Sequence, residues 1–329
     1  WAHYARHPSR LVELQMKYAE DMGHLWQESL RKFAGEQGAA QVAPADPALD
    51  RRFRDPAWRE NAAFDFLRQS YMLTRKTIEE SLKQAHHLPG HDRQKLEFYT
   101  RLYLDALSPN NFALTNPEVI RETVRSGGEN LIKGLHNLVT DLKRGGGDLK
   151  ISTTNPRAFK VGENLATTAG QVVFKNKMME LIQYAPSTPT VHKIPLVVIP
   201  PWINKYYILD LRPENSFVKF AVDQGFTVFM VSWANPDASY ATVKFDHYLP
   251  QGALAALDVV EQITGQKTTN VMGYCIGGTL AAMLLVYLAR KKKSSRVASA
   301  TMLTTLIDFS HAGDMKVFID DAQIDALEE

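Results

Sequence analysis

The chain has 329 residues, of which 45% are hydrophobic and 22% are charged, and its formal net charge is +2. This is the composition of a globular protein long enough for about two domains, and so small a net charge gives no global field that would recruit nucleic acid. The single cysteine, Cys275, excludes an internal disulfide and a metal site built on several thiolates.

The longest apolar run, residues 280–289, is too short to cross a bilayer, which needs roughly 20 residues. No signal-peptide pattern opens the chain. We therefore expect a cytoplasmic protein with no transmembrane segment. The sequence begins at Trp1 rather than Met, so we expect that the natural N-terminus lies further upstream.

Residues 9–34 carry an apolar stripe at helical spacing. Its members are Leu11, Leu14, Tyr18, Met22, Leu25 and Phe33. The stripe packs either on the chain's own domain or a partner helix, or on an apolar particle or membrane surface. Residues 35–50, rich in Ala, Gly and Pro, indicate a linker.

Residues 51–144 again have a helical pattern. Asn116-Pro117-Glu118 predicts a helix start, because Asn caps, Pro fits the first turn and Glu favours the positive end of the helix dipole. Glycines at 127–128 and 145–147 predict the ends of two helices. The histidines at 86, 87 and 91 lack the spacing of helical metal ligands, and we expect no metal site.

After Gly162 the pattern changes to short β-rich runs. They cover residues 172–174, 180–184, 196–199, 227–232, 270–272 and 298–307. Helical stretches at 216–224, 251–263 and 279–290 separate the last four of these runs. Apolar strands that alternate with helices predict an α/β domain with a parallel sheet covered on both faces.

The segment Thr269–Thr279 indicates a nucleophile for acyl transfer. Its Gly273-Tyr274-Cys275-Ile276-Gly277-Gly278 sequence has the small-x-nucleophile-x-small pattern of the elbow in α/β-hydrolase-type domains, with cysteine in place of serine. A strand that turns sharply into a helix leaves no room for side chains two residues before and after the nucleophile. The turn also puts Cys275 at a helix N-terminus, which favours the thiolate.

Two loops are expected to supply the oxyanion donors of this predicted acyl-transfer site. The backbone N–H of Ile276 follows the nucleophile directly. The loop after the first parallel strand would give the second donor, from the backbone of Trp202 or Ile203. A cysteine nucleophile favours a thioester donor, because exchange between two thiols is nearly neutral and the enzyme-bound thioester stays activated for attack by an alcohol.

Several longer motifs resemble the bacterial polyhydroxyalkanoate synthases, and the resemblance runs from about residue 46 to the last residue. In the C-terminal half they are PPWINKYYILDLRPENS at 200–216, VSWANPD at 231–237, GYCIGGT at 273–279 and LTTLIDFS at 303–310. In the N-terminal half they are DRRFRDPAW at 50–58, LSPNNFALTNPE at 107–118 and SGGENL at 126–131.

The resemblance implies a single-subunit type of synthase that polymerises (R)-3-hydroxyacyl-coenzyme A into polyester and releases coenzyme A. Cys275 would carry the growing chain, and a histidine assisted by an aspartate would be the general base. It further implies a homodimer at the surface of cytoplasmic polyester granules, with no cofactor beyond the coenzyme A of the substrate. The domains expected are 1–50 (amphipathic helix and linker), 51–165 (helical N-terminal domain) and 166–329 (partial α/β-hydrolase-type catalytic domain, truncated after the strand that follows the elbow).

The sequence departs from this pattern downstream of Cys275. His311 is the only histidine there, and it lies where the family has no base, while Asp308 is expected to cap a strand end. We therefore expect the base and acid to be absent from this chain and the chain alone to be inactive. Two rival functions stay open: a thioesterase or polyester depolymerase of the same fold, and a non-catalytic granule-associated protein. The basic residues 290–293 and Arg296 could bind coenzyme A phosphates or complement a helix dipole.

Overall fold

The computed structural model describes residues 8–36, 41–42, 50–83, 88–155 and 157–328. The chain separates into two compact units, Trp1–Ser152 together with Ala312–Glu329, and Thr153–His311. The predicted domains 1–50, 51–165 and 166–329 stay a prediction, because compactness divides the chain at other positions. Most of the predicted linker and both His86 and His87 lie outside the described residues.

The elements follow the predicted order of helices first and alternating strands and helices afterwards. The helices are α1 (Pro8–Phe33), α2 (Ala57–Glu60), α3 (Ala62–Lys83), α4 (Gly90–Ala106), α5 (Pro117–Arg125), α6 (Glu129–Arg144), α7 (Phe217–Asp223), α8 (Ala255–Thr264), α9 (Ile276–Arg290) and α10 (Asp321–Glu328). The strands are β1 (Gly170–Lys175), β2 (Met179–Tyr184), β3 (Leu196–Ile199), β4 (Val228–Trp233), β5 (Thr269–Tyr274) and β6 (Val297–Leu303).

Local signals in the sequence explain two of the boundaries in the helical unit. Asn116 caps α5 as predicted, since its side chain accepts hydrogen bonds from the backbone N–H groups of Glu118 and Val119. Gly127 and Gly128, both with positive φ, separate α5 from α6.

The apolar stripe of α1 packs on α3 of its own unit, which confirms the first of its two interpretations. Leu25 is fully buried and Leu73 of α3 is 2% exposed, with Tyr18 and Met22 packed against them. The Tyr18 hydroxyl lies 2.9 Å from the Thr74 hydroxyl. Phe33, at the end of the stripe, stays 59% exposed.

A buried ion pair within α3 is tied to α2 by a backbone hydrogen bond. The Arg68 guanidinium, 2% exposed, donates to Asp65 at 2.7 Å and to the carbonyl of Trp58 at 3.2 Å. Lys32 of α1 donates to the other oxygen of Asp65 at 2.8 Å. Because these charges are shielded from water, their mutual pairing is needed to offset the cost of desolvation.

The second unit is built on a six-stranded sheet of order β1-β2-β4-β3-β5-β6. Strands β1 and β2 are antiparallel to their neighbours, and β4, β3, β5 and β6 are parallel. This order, with a helix between successive parallel strands and a nucleophile candidate directly after β5, is the α/β-hydrolase arrangement predicted from the sequence.

Alternate side chains of the short strand β3 enter the cores on opposite faces of the sheet. Val197 and Ile199 pack with α8 and α9, and Val198 packs with α7 on the other face. All three are fully buried. A run that is apolar on both faces is therefore what a central parallel strand requires.

One strand boundary is wrong in the sequence analysis. Strand β6 was expected to run to residue 307, but it ends at Leu303. The next residue, Thr304, has φ +46°, and the chain leaves the sheet there. In the described part of the chain, no helix is both long and apolar enough to cross a membrane.

The buried ion pair gives a stability prediction. Arg68→Ala leaves Asp65 with only Lys32 as a cationic partner, and we expect the free energy of unfolding to fall by about 3 kcal/mol. Urea unfolding measures this change. The matched control is Arg31→Ala, which removes an exposed pair with Glu28 and should change stability little. Equal effects of the two substitutions would contradict the assignment of Arg68 as a buried structural charge.

Candidate active site

The site centres on Cys275, the residue between the end of β5 and the start of α9. Its backbone has φ +54° and ψ −125°, a conformation that costs energy for a residue with a side chain. Its N–H donates to the carbonyl of Leu303 at 2.9 Å, and its carbonyl accepts from the N–H of Gly278 at 2.9 Å. Cys275 as a whole residue is partly exposed. The structure thus has the sharp strand-to-helix turn at the predicted residue.

Three predicted glycines allow this turn, because the first turn of α9 packs directly on backbone. A Cβ atom on Gly277 would lie 2.1 Å from the carbonyl oxygen of Ile199, and one on Gly273 would lie 2.4 Å from the Cα of Gly278. A Cβ on Gly278 would lie 1.9 Å from the Thr305 hydroxyl. A Cβ contact under 3.0 Å forces a neighbouring atom to shift, so Gly273 and Gly277, which face backbone, are needed where they stand, while a side chain at Gly278 would displace Thr305.

The loop after β3 lies beside the turn, since Ile199 pairs with Gly273 across the two parallel strands. It contains Trp202, which is half-buried, and Ile203, which is 73% exposed. Within the described residues, the backbone N–H groups of Trp202, Ile203 and Ile276 donate to no protein acceptor. These three N–H groups thus have no protein acceptor in that part of the chain, and their role as oxyanion donors stays a prediction.

The far end of the same loop is anchored by Asp210, which is 1% exposed. Its carboxylate accepts hydrogen bonds from the hydroxyls of Thr168 and Ser216, each at 2.6 Å, and its carbonyl accepts from the N–H of Ala166. Ser216 in turn caps α7. Burial, together with the negative charge of Asp210, raises the pKa of the Tyr184 phenol well above its usual range. The Tyr184 hydroxyl therefore stays protonated.

The segment after β6 closes the other side of the turn. Thr305 fills the space above Gly278, and the Thr279 hydroxyl donates to the carbonyl of Leu306 at 2.7 Å. The positive φ of Thr304 brings the chain over the start of α9. This role was not predicted, because the sequence of residues 304–307 is typical of a strand.

An aromatic cluster that was not predicted from the sequence lies beside the β3 loop. Trp202 stacks on Tyr248 with ring centroids 4.3 Å apart, and both rings contact Trp233. The motifs PPWINKYYILDLRPENS and VSWANPD contain Trp202 and Trp233, but contacts between distant aromatic residues leave no periodic pattern.

No histidine or carboxylate forms a hydrogen bond with the Cys275 sulfur in the described part of the chain. Asp308 and His311 are both exposed. Asp308 lies in the segment after β6 and accepts a hydrogen bond from the N–H of Ser310 at 2.9 Å. Among the described residues, neither of these two side chains is hydrogen-bonded to Cys275.

The basic residues 290–293 lie at the C-terminal end of α9, about 22 Å along the helix from Cys275. Arg296 is committed to ion pairs with Asp258 and Glu261, at 2.7 and 3.4 Å. The run therefore occupies the edge of the sheet opposite the nucleophile. Across the described ranges, no three His, Cys, Asp or Glu side chains are grouped to hold a metal ion.

The chain is similar in sequence to known proteins. Residues 49–221 match the family model described as the N-terminus of poly-beta-hydroxybutyrate polymerase (PhaC). A poly(3-hydroxyalkanoate) polymerase of Methylorubrum extorquens is 44% identical over 99% of this chain and 53% of its own length. The PhaC subunit of the polymerase of Rhizobium meliloti is 45% identical over 98% of this chain and 52% of its own. The chain thus spans about half the length of these curated relatives.

Among solved structures, a fungal esterase of Rhizomucor miehei overlaps 48% of this chain and 52% of its own, with a TM-score of 0.35 and 15% identity. The assignment of the fold rests on the strand order and the turn at Cys275, not on this partial overlap.

The packing of α9 on β3 gives a prediction for Gly277→Ala. The added Cβ meets two backbone carbonyl oxygens, of Ile199 and Pro200, which cannot rotate away. We expect a loss of about 1–3 kcal/mol in the free energy of unfolding of the second unit, measured with urea. The same substitution at Gly134, in the interior of α6 with nothing within 4 Å, should stabilise by up to about 1 kcal/mol. A neutral Gly277→Ala would contradict the tight packing at the turn.

Proposed function

Because the chain belongs to the poly-beta-hydroxybutyrate polymerase (PhaC) family, we propose that it supplies the nucleophile for polymerising (R)-3-hydroxyacyl-coenzyme A into polyhydroxyalkanoate. The observation that carries the proposal is the partly exposed Cys275 at the strained turn from β5 into α9. Hydrogen-bond donors without protein acceptors lie on both sides of this residue. Such a residue on such a turn is suited to attack an acyl group.

In the first half-reaction, the Cys275 thiolate attacks the carbonyl carbon of the thioester. A tetrahedral intermediate forms, and its oxyanion is stabilised by the N–H of Ile276 and by that of Trp202 or Ile203. The bond from carbon to the coenzyme A sulfur breaks, and coenzyme A leaves as a thiol after taking a proton. The acyl group is now a thioester on Cys275.

In the second half-reaction, the hydroxyl of a second acyl chain attacks this thioester. An ester bond forms, the bond to Cys275 breaks, and the hydroxyl proton returns to a sulfur or a base. A thioester retains enough activation for this step, which explains the use of cysteine rather than serine. No cofactor is needed beyond the coenzyme A of the substrate.

We propose that the general base and its carboxylate partner lie outside these 329 residues. The proposal is supported by the exposure of Asp308 and His311, neither of which is hydrogen-bonded to Cys275 among the described residues. The chain alone is then expected to polymerise very slowly or not at all. Its partners would be the growing polyester, the granule surface in the cytoplasm and a second copy of itself, with no nucleic acid and no metal.

The nucleophile is tested in the longest gene product that contains this sequence. With (R)-3-hydroxybutyryl-coenzyme A, we expect Cys275→Ala to abolish polymer and coenzyme A release, a loss of at least about 1,000-fold. His311→Gln is the control and should retain the unchanged rate. Polymer is quantified after conversion to its monomers, and coenzyme A by chromatography.

Other outcomes would identify a rival function. Free hydroxy acid in equal amount to coenzyme A, without polymer, would indicate a thioesterase or depolymerase. A Cys275 thiol that reacts with iodoacetamide no faster than a cysteine in a peptide, together with no turnover, would indicate a non-catalytic granule-associated protein. Polymerisation lost on His311→Gln would overturn the proposed absence of the base from this chain.

A further inference from the structure

The sequence of the β3 loop restricts which N–H can serve as the second oxyanion donor. The loop begins with Pro200 and Pro201, and proline carries no backbone N–H. Trp202 therefore offers the first N–H after β3. The pyrrolidine rings of Pro200 and Pro201 fix the φ angles of both residues. The direction of the Trp202 N–H therefore depends on the two remaining backbone rotations, the ψ angles of Pro200 and Pro201.

A hydrogen bond from Trp233 fixes one of these rotations. The indole Nε1–H of Trp233, at the end of β4, donates to the carbonyl oxygen of Pro200 at 2.7 Å. The direction of this carbonyl defines ψ of Pro200. The same hydrogen bond fixes the carbonyl group of Pro200. Without the bond, the carbonyl oxygen could turn towards a developing oxyanion and repel it.

The indole of Trp233 is itself held in place. Its ring meets Trp202 nearly edge-on, with centroids 5.8 Å apart, and Tyr248 at 5.1 Å. On another side lies Gly252, where a Cβ atom would come within 2.4 Å of the indole. Gly252 belongs to a π-helical turn, Leu249–Leu254, that precedes α8. Such turns are rare and often occur at functional sites.

We propose that Trp233 is a positioning residue that directs the N–H of Trp202 at the oxyanion formed on acylation of Cys275. Gly252 supports it by leaving room for the indole. The inference rests on the proposed function, because it requires that Cys275 be acylated. Trp233 contacts the loop and not the reacting atoms, so its effect is confined to reactions that develop an oxyanion.

Two reactions of Cys275 separate this role from general damage. Acylation by 3-hydroxybutyryl-coenzyme A passes through an oxyanion, whereas alkylation by iodoacetamide is a displacement at carbon that forms none. Both are run on this chain at about pH 9.5, where a free cysteine is mostly thiolate, so that no general base is required. Coenzyme A release and the alkylated peptide are quantified by chromatography and mass spectrometry.

Trp233→Phe keeps the aromatic ring and removes the N–H donor. We expect acylation to slow by at least about 10-fold, with a full donor being worth about 100-fold or more, while alkylation changes by less than about twofold. Gly252→Ala retains the indole of Trp233 but displaces it, and should likewise slow acylation without changing alkylation. This variant replaces Trp233→Phe in the test if Trp233→Phe does not fold. Trp26→Phe, in α1, is the matched control and should affect neither reaction.

A crystal structure of Trp233→Phe provides a measurement that does not depend on acylation. We expect the carbonyl of Pro200 to turn and the backbone nitrogen of Trp202 to leave the position it has in the unchanged protein. Unchanged acylation, equal slowing of both reactions, or an unchanged loop in Trp233→Phe would overturn the role of Trp233. If the unchanged protein is alkylated but never acylated, the proposed function fails instead, and the crystal structure alone decides whether Trp233 orders the loop.

Discussion

The close approach of the first turn of α9 to neighbouring backbone is the constraint on which the site depends. Gly277 lies against the carbonyl oxygens at the end of β3, and Gly278 lies against Thr305 after β6. This packing leaves Cys275 with a positive φ, in a conformation that the surrounding contacts must maintain. The strain is the physical reason why the sulfur stands at the edge of the sheet instead of following the helix into the core.

The supports of the turn come from elements that are far apart in sequence. Strand β3 provides the wall and the proline loop, β4 provides Trp233, the π-helical turn provides Gly252, and the segment after β6 provides Thr305. Asp210 secures the far end of the loop through hydroxyls from both flanking segments. Each support acts on backbone near Cys275 and not on the sulfur itself. The geometry of the site is therefore set by the ends of the strands, and the thiol provides the reactive group.

The sequence predicted the elements whose causes are local. The elbow follows from glycines spaced around one cysteine, β3 from its apolar run, and α5 from its Asn-Pro-Glu start. Contacts between distant residues were not predictable in this way. Three features depend on tertiary packing: the hydrogen bond from Trp233 to Pro200, the π-helical turn around Gly252 and the end of β6 at Leu303. The Thr- and Leu-rich sequence after Leu303 is typical of a strand, although the chain leaves the sheet there and turns over Gly278. The roles of Ile276, Trp202 and Ile203 stay predictions.

We propose that acyl groups reach the sulfur of Cys275 with their carbonyl oxygen between two backbone donors. A crystal structure of the protein carrying a 3-hydroxybutyryl group on Cys275 tests this claim most directly. We expect the carbonyl oxygen of the thioester to lie about 3 Å from the backbone nitrogens of both Ile276 and Trp202. A thioester whose oxygen points to solvent, out of reach of both nitrogens, would contradict the account.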